Sequence, residues 1–183
     1  MQVRSELKTR ALEDSNEAVI EGYFAVYDQE TELFEGAFEE IARGSLDKSL
    51  SENDVLALDN HDSTIVLGSV GSETLELKSD EKGLYGSIKI DLEDPFAKSA
   101  YRKVQTGKIR GCSFGFIPIR EDTQEREDGT IKWVVQEAEL VEVSITAFPA
   151  YPQTDIAARR KDSDAIKLQK LNTRKKALKE RIK

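Results

Sequence analysis

The chain has 183 residues, of which 38% are hydrophobic and 34% are charged. These values predict a charge-rich globular protein with one core, and no apolar run is long enough to span a membrane. The N-terminal residues MQVRSELKTR also lack the apolar block of a secretory signal. A single cysteine excludes an intrachain disulfide, and a single histidine without Cys-x-x-Cys or His-x-x-x-His spacing argues against a metal site. We therefore expect no cofactor and a reducing cytoplasm.

Aromatic and β-branched residues in short runs predict a sheet-rich domain. The predicted strands are residues 17–28, 55–62, 65–70, 74–78, 84–91, 110–119, 131–135 and 138–148. Residues 79–83 have good turn chemistry for joining two of these strands. Pro149 and Pro152 are expected to end the last strand, because proline cannot donate to a central ladder.

Two segments favour helices, so the fold class predicted is α+β. Residues 94–106 are the clearer helix, with Asp94 as N-cap, Pro95 in the first turn and Gly107 just beyond the end. In residues 39–50 the spacing of the apolar side chains favours a short helix or two.

Charge is divided unevenly along the chain. Residues 159–183 contain 11 of the 27 lysine and arginine residues and 3 of the 35 aspartate and glutamate residues. This segment has a net charge of +8, and the rest of the chain has a net charge of −16. We predict a main domain over residues 1–156 and a C-terminal basic helix over residues 157–183. Its apolar stripe is thin, which favours a free arm that docks on a partner over a helix resting on the body.

The strand within residues 110–116 sets one hydroxyl between two glycines. In an extended chain Cys112, Phe114 and Phe116 face the core, while Ser113 points to the opposite face. Glycine in a strand often marks a close approach of a ligand or another backbone. The pattern indicates Ser113 as a nucleophile for a bound peptide, although a small solvent-facing serine is the plainer interpretation. Cys112 is predicted to be a small buried hydrophobe.

A serine nucleophile needs a base, and the single histidine, His61, stands at the polar end of a predicted strand. Glu142 is our choice for the carboxylate that orients the imidazole, since it points out of an otherwise apolar strand. Asp62 and Asp59 compete for this role, and strict strand alternation disfavours Glu139. Taken singly, each of these side chains could equally be an ordinary solvated surface group.

Six segments, taken in order and spacing, resemble the prohead (procapsid maturation) serine proteases of tailed bacteriophages over roughly residues 17–156. The segments are EGYFAVYD, GAF, DNHDSTIVLGSV, DPFAKSAYRKVQTG, GCSFGF and LVEVSITAFPAYP. The resemblance implies a fold like that of the herpesvirus assembly proteases, a mostly antiparallel β-barrel with surrounding helices.

The same resemblance implies site residues. The family's nucleophile matches Ser113 and its histidine base matches His61. Herpesvirus relatives use a second histidine as the third member, which this chain lacks. The family's acidic residue in the strand before the Pro-Ala-x-Pro turn matches Glu142.

The implied function is that of a serine endopeptidase inside the immature capsid, in the host cytoplasm. Such an enzyme cleaves the scaffolding protein, or the scaffold-like segment of the major capsid protein, and often itself. Herpesvirus relatives act as dimers, so a homo-oligomer is compatible with the resemblance. No membrane partner is expected.

Two other classes compete with this interpretation. A non-enzymatic capsid or scaffold component would explain the strand-rich body and the basic tail. It would leave the glycine-framed serine, the histidine and the outward glutamate unexplained. A nucleic-acid-binding module is disfavoured, because only the tail is basic and the acidic body would repel phosphates.

Overall fold

The computed structural model describes residues 7–11, 17–147 and 153–181, with side chains from 159 to 177 in the last range. Pro149 and Pro152 lie outside the described residues. The elements, in chain order, are β1 (Lys8–Ala11), β2 (Glu17–Val26), β3 (Thr31–Phe34), β4 (Ala37–Ile41), α1 (Asp47–Glu52), β5 (Leu56–Asp59), β6 (Asp62–Ser69), β7 (Leu75–Ser79), β8 (Gly83–Asp91), α2 (Pro95–Gln105), β9 (Gly111–Glu125), β10 (Ile131–Thr146) and α3 (Gln153–Arg181). The predicted α+β class is confirmed.

The strands form two sheets. The first has the order β1-β2-β8-β7 and is antiparallel throughout. The second is organised around β10, the longest strand, which pairs antiparallel with β9 over its whole length. On its other edge β10 pairs in parallel with β4 near its start and with β5 near its end, and β3 and β6 continue the sheet outwards.

One hydrophobic core lies between the two sheets and α2. It includes Ile20 and Ile88 from the first sheet, Val143 and Ile145 from the second, and Ala100 from α2, all at 0% exposure. Burial of this apolar surface is the main force that holds the sheets together.

The prediction of α2 is confirmed at both ends. The Asp94 side chain accepts a hydrogen bond from the Phe96 N–H at 2.8 Å, which caps the helix, and Pro95 follows in the first turn. Gly107 has φ +68°, the left-handed conformation that ends many helices.

The expectation of a β-barrel is wrong. The strand pairing is mostly antiparallel, as predicted, but no strand of one sheet pairs with a strand of the other in the described ranges. The sheets therefore pack through side chains and stay open. In the described ranges β9 pairs with β10 and with no other strand.

The predicted helix over residues 39–50 is wrong in its first part. Residues 37–41 form β4, whose alternating burial matches its parallel pairing with the start of β10. Only Asp47–Glu52 is helical. The apolar spacing is compatible with either structure, and the tertiary contact with β10 selects the strand.

The prediction of a free C-terminal arm is wrong for the first half of α3. Arg159 is 8% exposed and binds Glu39 on β4 at 2.7 Å and Glu121 on β9 at 2.8 Å. Its guanidinium also lies over the Trp133 ring, 4.9 Å from the centroid. Burial alone lowers the pKa of Arg159, but the two carboxylates outweigh it and raise that pKa above its ordinary value. The guanidinium therefore stays charged and binds the helix to the sheet.

Farther along α3 the contacts with the body become sparse. Ile166 packs against a small buried cluster formed by Ala37, Ile131 and Trp133. Lys170 binds Glu125 at 3.1 Å. Residues 171–177 are exposed. The domain boundary predicted at residue 156 falls inside α3, and a separate role for residues 157–183 stays a prediction.

We predict that Arg159→Gln lowers the free energy of unfolding by about 3 kcal/mol, because it leaves a buried carboxylate without its guanidinium. Trp133 is the single tryptophan of the chain, so denaturant titration followed by its fluorescence reports the helix contact directly.

The matched control is Arg160→Gln, since Arg160 is exposed and lies over Phe34 instead. This variant should unfold within about 0.5 kcal/mol of the wild type. Equal midpoints and equal emission spectra for the two variants would show that Arg159 does not hold α3 on the body.

Candidate active site

The register of β9 and β10 brings four residues to one face of the second sheet. Ser113 lies directly opposite Ser144, and Gly115 lies opposite Glu142. Paired residues on neighbouring strands share a face, so the two serines and the glutamate project to the same side. Cys112 and Phe114 project to the other side and are buried in the core, as predicted. The Cys112 thiol donates to the Tyr23 carbonyl at 2.8 Å, which fits a buried structural residue.

His61 lies in the tight turn between β5 and β6. Asp59 pairs with Asp62, and the two residues between them, Asn60 and His61, both have φ of +61°. Positive φ at both central positions is typical of the two-residue hairpin turn whose twist matches the flanking strands. Asparagine and histidine are among the residues that adopt this conformation most readily after glycine.

Hydrogen bonds attach this turn to the end of β10. The Asn60 N–H donates to the Ile145 carbonyl at 2.8 Å, and the Thr146 hydroxyl donates to the Asn60 side-chain oxygen at 2.9 Å. The His61 N–H donates to the Ser144 hydroxyl at 3.2 Å. The turn is therefore folded back over β10, and the imidazole lies beside Glu142.

The imidazole and the carboxylate form a short hydrogen bond, 2.7 Å from His61 Nδ1 to Glu142 Oε1. Their side chains are 21% and 11% exposed, so water screens the contact only weakly. A carboxylate can only accept, so Nδ1 carries the proton and Nε2 of the neutral ring presents a lone pair. Nε2 is buried and has no hydrogen-bond partner among the described residues. A ring held in this way can act as a base through Nε2.

Gly115 provides the space that the carboxylate occupies. A Cβ at this position would lie 2.6 Å from Glu142 Oε1 and 3.1 Å from Glu142 Cγ. No real side chain tolerates the first distance, so the glycine is required by the position of Glu142. The sequence pattern indicates empty space beside the Ser113 hydroxyl, but at this glycine the space is filled by the glutamate.

Ser113 lies on β9, next to β10, the strand to which the His61 turn is hydrogen-bonded. Ser113, Ser144 and Leu58 form a row across β9, β10 and β5, with neighbouring strands about 4.8 Å apart. Ser113 is partly exposed, and within the described ranges no hydrogen bond joins it to His61. Apo sites often show such catalytic contacts only loosely formed.

The other carboxylates considered for the orienting role bind elsewhere. Asp62 is exposed and accepts from the Thr64 hydroxyl and N–H, and these two hydrogen bonds lower the pKa of Asp62. Asp59 is buried and binds Lys103 Nζ at 2.8 Å. Of the three candidates, Glu142 is the one that contacts the histidine.

Strand alternation is interrupted by a bulge that the sequence does not reveal. Leu140 pairs with Phe116 and Glu142 with Gly115, so Val141 is the extra residue. Val141 is 46% exposed, whereas strict alternation along the strand would place it on the core face with Val143. Glu139, disfavoured on parity, is brought by the same bulge to the face of Glu142. It pairs opposite Ile117, two residues along β9 from Gly115, and no described hydrogen bond joins it to His61.

Ser144 is a site residue that the sequence analysis passes over. Its hydroxyl donates to Glu142 Oε2 at 2.6 Å, and the residue is 0% exposed. The available signal is its spacing, two residues after Glu142 on a strand, which places both on one face.

Comparison with known proteins identifies the family. No curated protein and no solved structure gives a significant match. The family model for the caudovirus prohead serine protease matches residues 5–169. The chain belongs to this family.

Membership of the prohead serine proteases makes the chain a serine peptidase of phage capsid maturation. A protease of this kind acts on capsid or scaffold proteins in the assembling procapsid within the host. The alternative of a non-enzymatic capsid component is therefore wrong. The likeness to herpesvirus assembly proteases stays a prediction. In the described part of this prohead protease, no helix has the length and apolar character needed to cross a bilayer.

We predict that Gly115→Ala lowers the rate of capsid-protein cleavage by about 100-fold, because the new methyl group displaces the Glu142 carboxylate from His61. The clashing atom ends a flexible side chain, so the melting temperature should change little. Cleavage by gel densitometry and melting by calorimetry measure the two effects.

Gly71→Ala is the matched control. A Cβ on Gly71 would lie 2.7 Å from Asp54 Oδ2, a similar clash with a carboxylate, in the loop between β6 and β7. Its activity should equal that of the wild type. If Gly115→Ala also cleaves at the wild-type rate, the carboxylate position is not needed for activity.

Proposed function

We propose that Ser113, His61 and Glu142 are the catalytic triad of this protease. The observation that carries the proposal is the His61–Glu142 hydrogen bond, which leaves a buried Nε2 with a lone pair and no described partner. It is supported by the register, which sets Ser113 opposite Ser144 on the strand to which the histidine turn is bound.

In this mechanism His61 Nε2 takes the proton of the Ser113 hydroxyl as the oxygen attacks a peptide carbonyl. The tetrahedral intermediate collapses, His61 gives the proton to the leaving amine, and an acyl-enzyme remains. Water, deprotonated by the same nitrogen, then releases the second product. Glu142 holds the ring and stabilises the imidazolium that forms at each step.

Backbone N–H groups near the serine, in the Arg110–Gly111 segment, are our candidates for the oxyanion hole. The segment leads into β9, which begins at Gly111, and Cys112 separates it from Ser113. Removal of one such donor typically costs about 100-fold to 1,000-fold in rate.

We propose that the substrate is the scaffolding protein or the scaffold-like segment of the major capsid protein, bound as an added strand along β9. Support comes from the strand pairing, in which β10 is the one described partner of β9. An extended peptide that pairs there gains main-chain hydrogen bonds and needs few side-chain contacts. Pro118 lacks an N–H, so it limits how far such pairing extends from Ser113.

We also propose that the end of α3 carries the enzyme into the assembling shell and is removed by self-cleavage. The support is its charge and its exposure: residues 171–177 include Arg174, Lys175 and Lys176, and all are exposed. These side chains are available to an acidic partner.

Ser113→Ala should abolish cleavage of the cognate capsid protein and leave the fold intact, because Ser113 is only partly buried and loses a single hydroxyl. Glu142→Gln should remain folded but lose up to about 10,000-fold in kcat. Co-expression with the capsid protein, followed by mass spectrometry of the fragments, measures both effects. A fluorophosphonate probe should label the wild type and leave Ser113→Ala unlabelled.

The matched control for Glu142→Gln is Asp62→Asn, which removes the same charge beside His61 in the sequence but on a side chain bound to Thr64. It should cleave at close to the wild-type rate. A greater loss of activity for Asp62→Asn than for Glu142→Gln would show that Asp62, and not Glu142, orients the imidazole. Cleavage by Ser113→Ala would refute the nucleophile.

Replacement of Arg174, Lys175 and Lys176 by glutamine should reduce the amount of protease found in purified procapsids, while cleavage of capsid protein in solution continues at the normal rate. The change leaves the docked part of α3 intact. Immunoblots of procapsids measure incorporation.

A triple replacement of the exposed body lysines Lys78, Lys89 and Lys98 by glutamine removes the same charge elsewhere. This control should be incorporated at the wild-type level. Normal incorporation of the α3 variant would refute the proposed use of the tail.

A further inference from the structure

Ser144 joins the two residues on which the proposed mechanism depends. Its hydroxyl donates to Glu142 Oε2 at 2.6 Å and accepts the His61 N–H at 3.2 Å. We propose that Ser144 is a positioning residue that holds the carboxylate and the histidine-bearing turn in the geometry needed for proton transfer. This inference rests on the proposed function and assigns one more residue to the same site.

The direction of each hydrogen bond follows from the chemistry of the three groups. A carboxylate only accepts and a backbone N–H only donates. The single proton of the Ser144 hydroxyl therefore goes to Glu142, and its oxygen lone pair receives the N–H of His61. A hydroxyl supplies both functions at one atom, whereas an alanine at this position supplies neither.

The contact with Oε2 determines which way the carboxylate faces. Glu142 has two oxygens, and the structure assigns one to the Ser144 hydroxyl and the other to His61 Nδ1. With Oε2 held, Oε1 is turned towards the ring, and the ring is turned so that Nε2 faces away from the carboxylate. Without the hydroxyl, the bond to His61 is the one described side-chain hydrogen bond left to hold the carboxylate.

Burial separates the role of Ser144 from that of Ser113. Ser144 is 0% exposed, so a peptide carbonyl cannot reach its oxygen. Ser113 lies directly opposite on β9 and is partly exposed. The two serines therefore have different roles: the accessible Ser113 is the nucleophile, and the buried Ser144 positions the base.

The test compares Ser144→Ala with Ser144→Thr in the full-length protein, using a peptide that contains a mapped cleavage site. Ser144→Ala should lower kcat by about 100-fold with KM within twofold, because the reacting groups are misplaced and the substrate site is unchanged. Ser144→Thr keeps the hydroxyl on a strand position that suits a β-branched residue, and should recover most of the rate.

Ser49→Ala is the matched control. Ser49 is also buried, and its hydroxyl accepts the Leu140 N–H of the same strand at 2.8 Å, away from the site. Both alanine variants should lose stability, and only Ser144→Ala should lose kcat. Equal kcat values for the two would assign Ser144 a purely structural role.

Coupling to the glutamate provides a second readout. In a double-mutant cycle, Ser144→Ala should cost less than threefold when Glu142→Gln is already present, since a residue that acts through the carboxylate has little left to position. Full additivity of the two losses would overturn the inference. Cleavage by Ser113→Ala would instead refute the triad, so the two failures are distinguishable.

A third readout needs no activity. The chain has a single histidine, so NMR of the imidazole reports His61 without ambiguity. The Nδ1–H proton should be protected and strongly downfield in the wild type and in Ser49→Ala. It should be broadened by exchange with water in Ser144→Ala, and restored in Ser144→Thr. An unchanged signal in a folded Ser144→Ala protein would contradict the proposal.

Discussion

The attachment of the Asn60–His61 turn to the end of β10 is the constraint on which the site depends. The two turn residues adopt left-handed backbone conformations, which cost free energy for side chains other than glycine. Hydrogen bonds between the two turn residues and three successive residues of β10 offset this cost. These bonds fix the backbone of His61 and place its ring beside Glu142.

The two faces of the β9–β10 pair differ: one packs into the core, and the other carries the candidate site residues. One face carries Cys112, Phe114 and Val143 into the core. The other face buries Glu142 and Ser144, and burial of these polar groups would be unfavourable without hydrogen-bond partners. The two side chains bond to each other, and Glu142 also bonds to His61. The exception is His61 Nε2, the atom that the mechanism needs unoccupied. Unsatisfied buried atoms are uncommon in native proteins, and the role proposed for His61 as general base would account for this one.

The C-terminal helix completes the domain at the opposite end of β10. Glu39 is 2% exposed on a strand between β3 and β10, where Arg159 reaches it from α3 and offsets part of the cost of burying a carboxylate. The family match extends to residue 169, next to Lys170, which is the last of the described helix residues to form an ion pair with the body. The acidic body and the basic helix are thus joined by charge, and six further lysine and arginine residues follow Lys170 in the sequence.

The sequence by itself determined the α+β class, the caps of α2, the burial of Cys112 and Phe114, and the choice of Ser113, His61 and Glu142 as candidates. These depend on local spacing and residue type, which the chain carries directly. Tertiary structure alone decided that the sheets stay open, that residues 37–41 form a strand, that Val141 is bulged, that Glu142 and not Asp62 or Asp59 meets His61, and that α3 docks. Each of these depends on partners far apart in the chain, 81 residues for His61 and Glu142 and 120 for Arg159 and Glu39, and no local pattern encodes which distant residues meet.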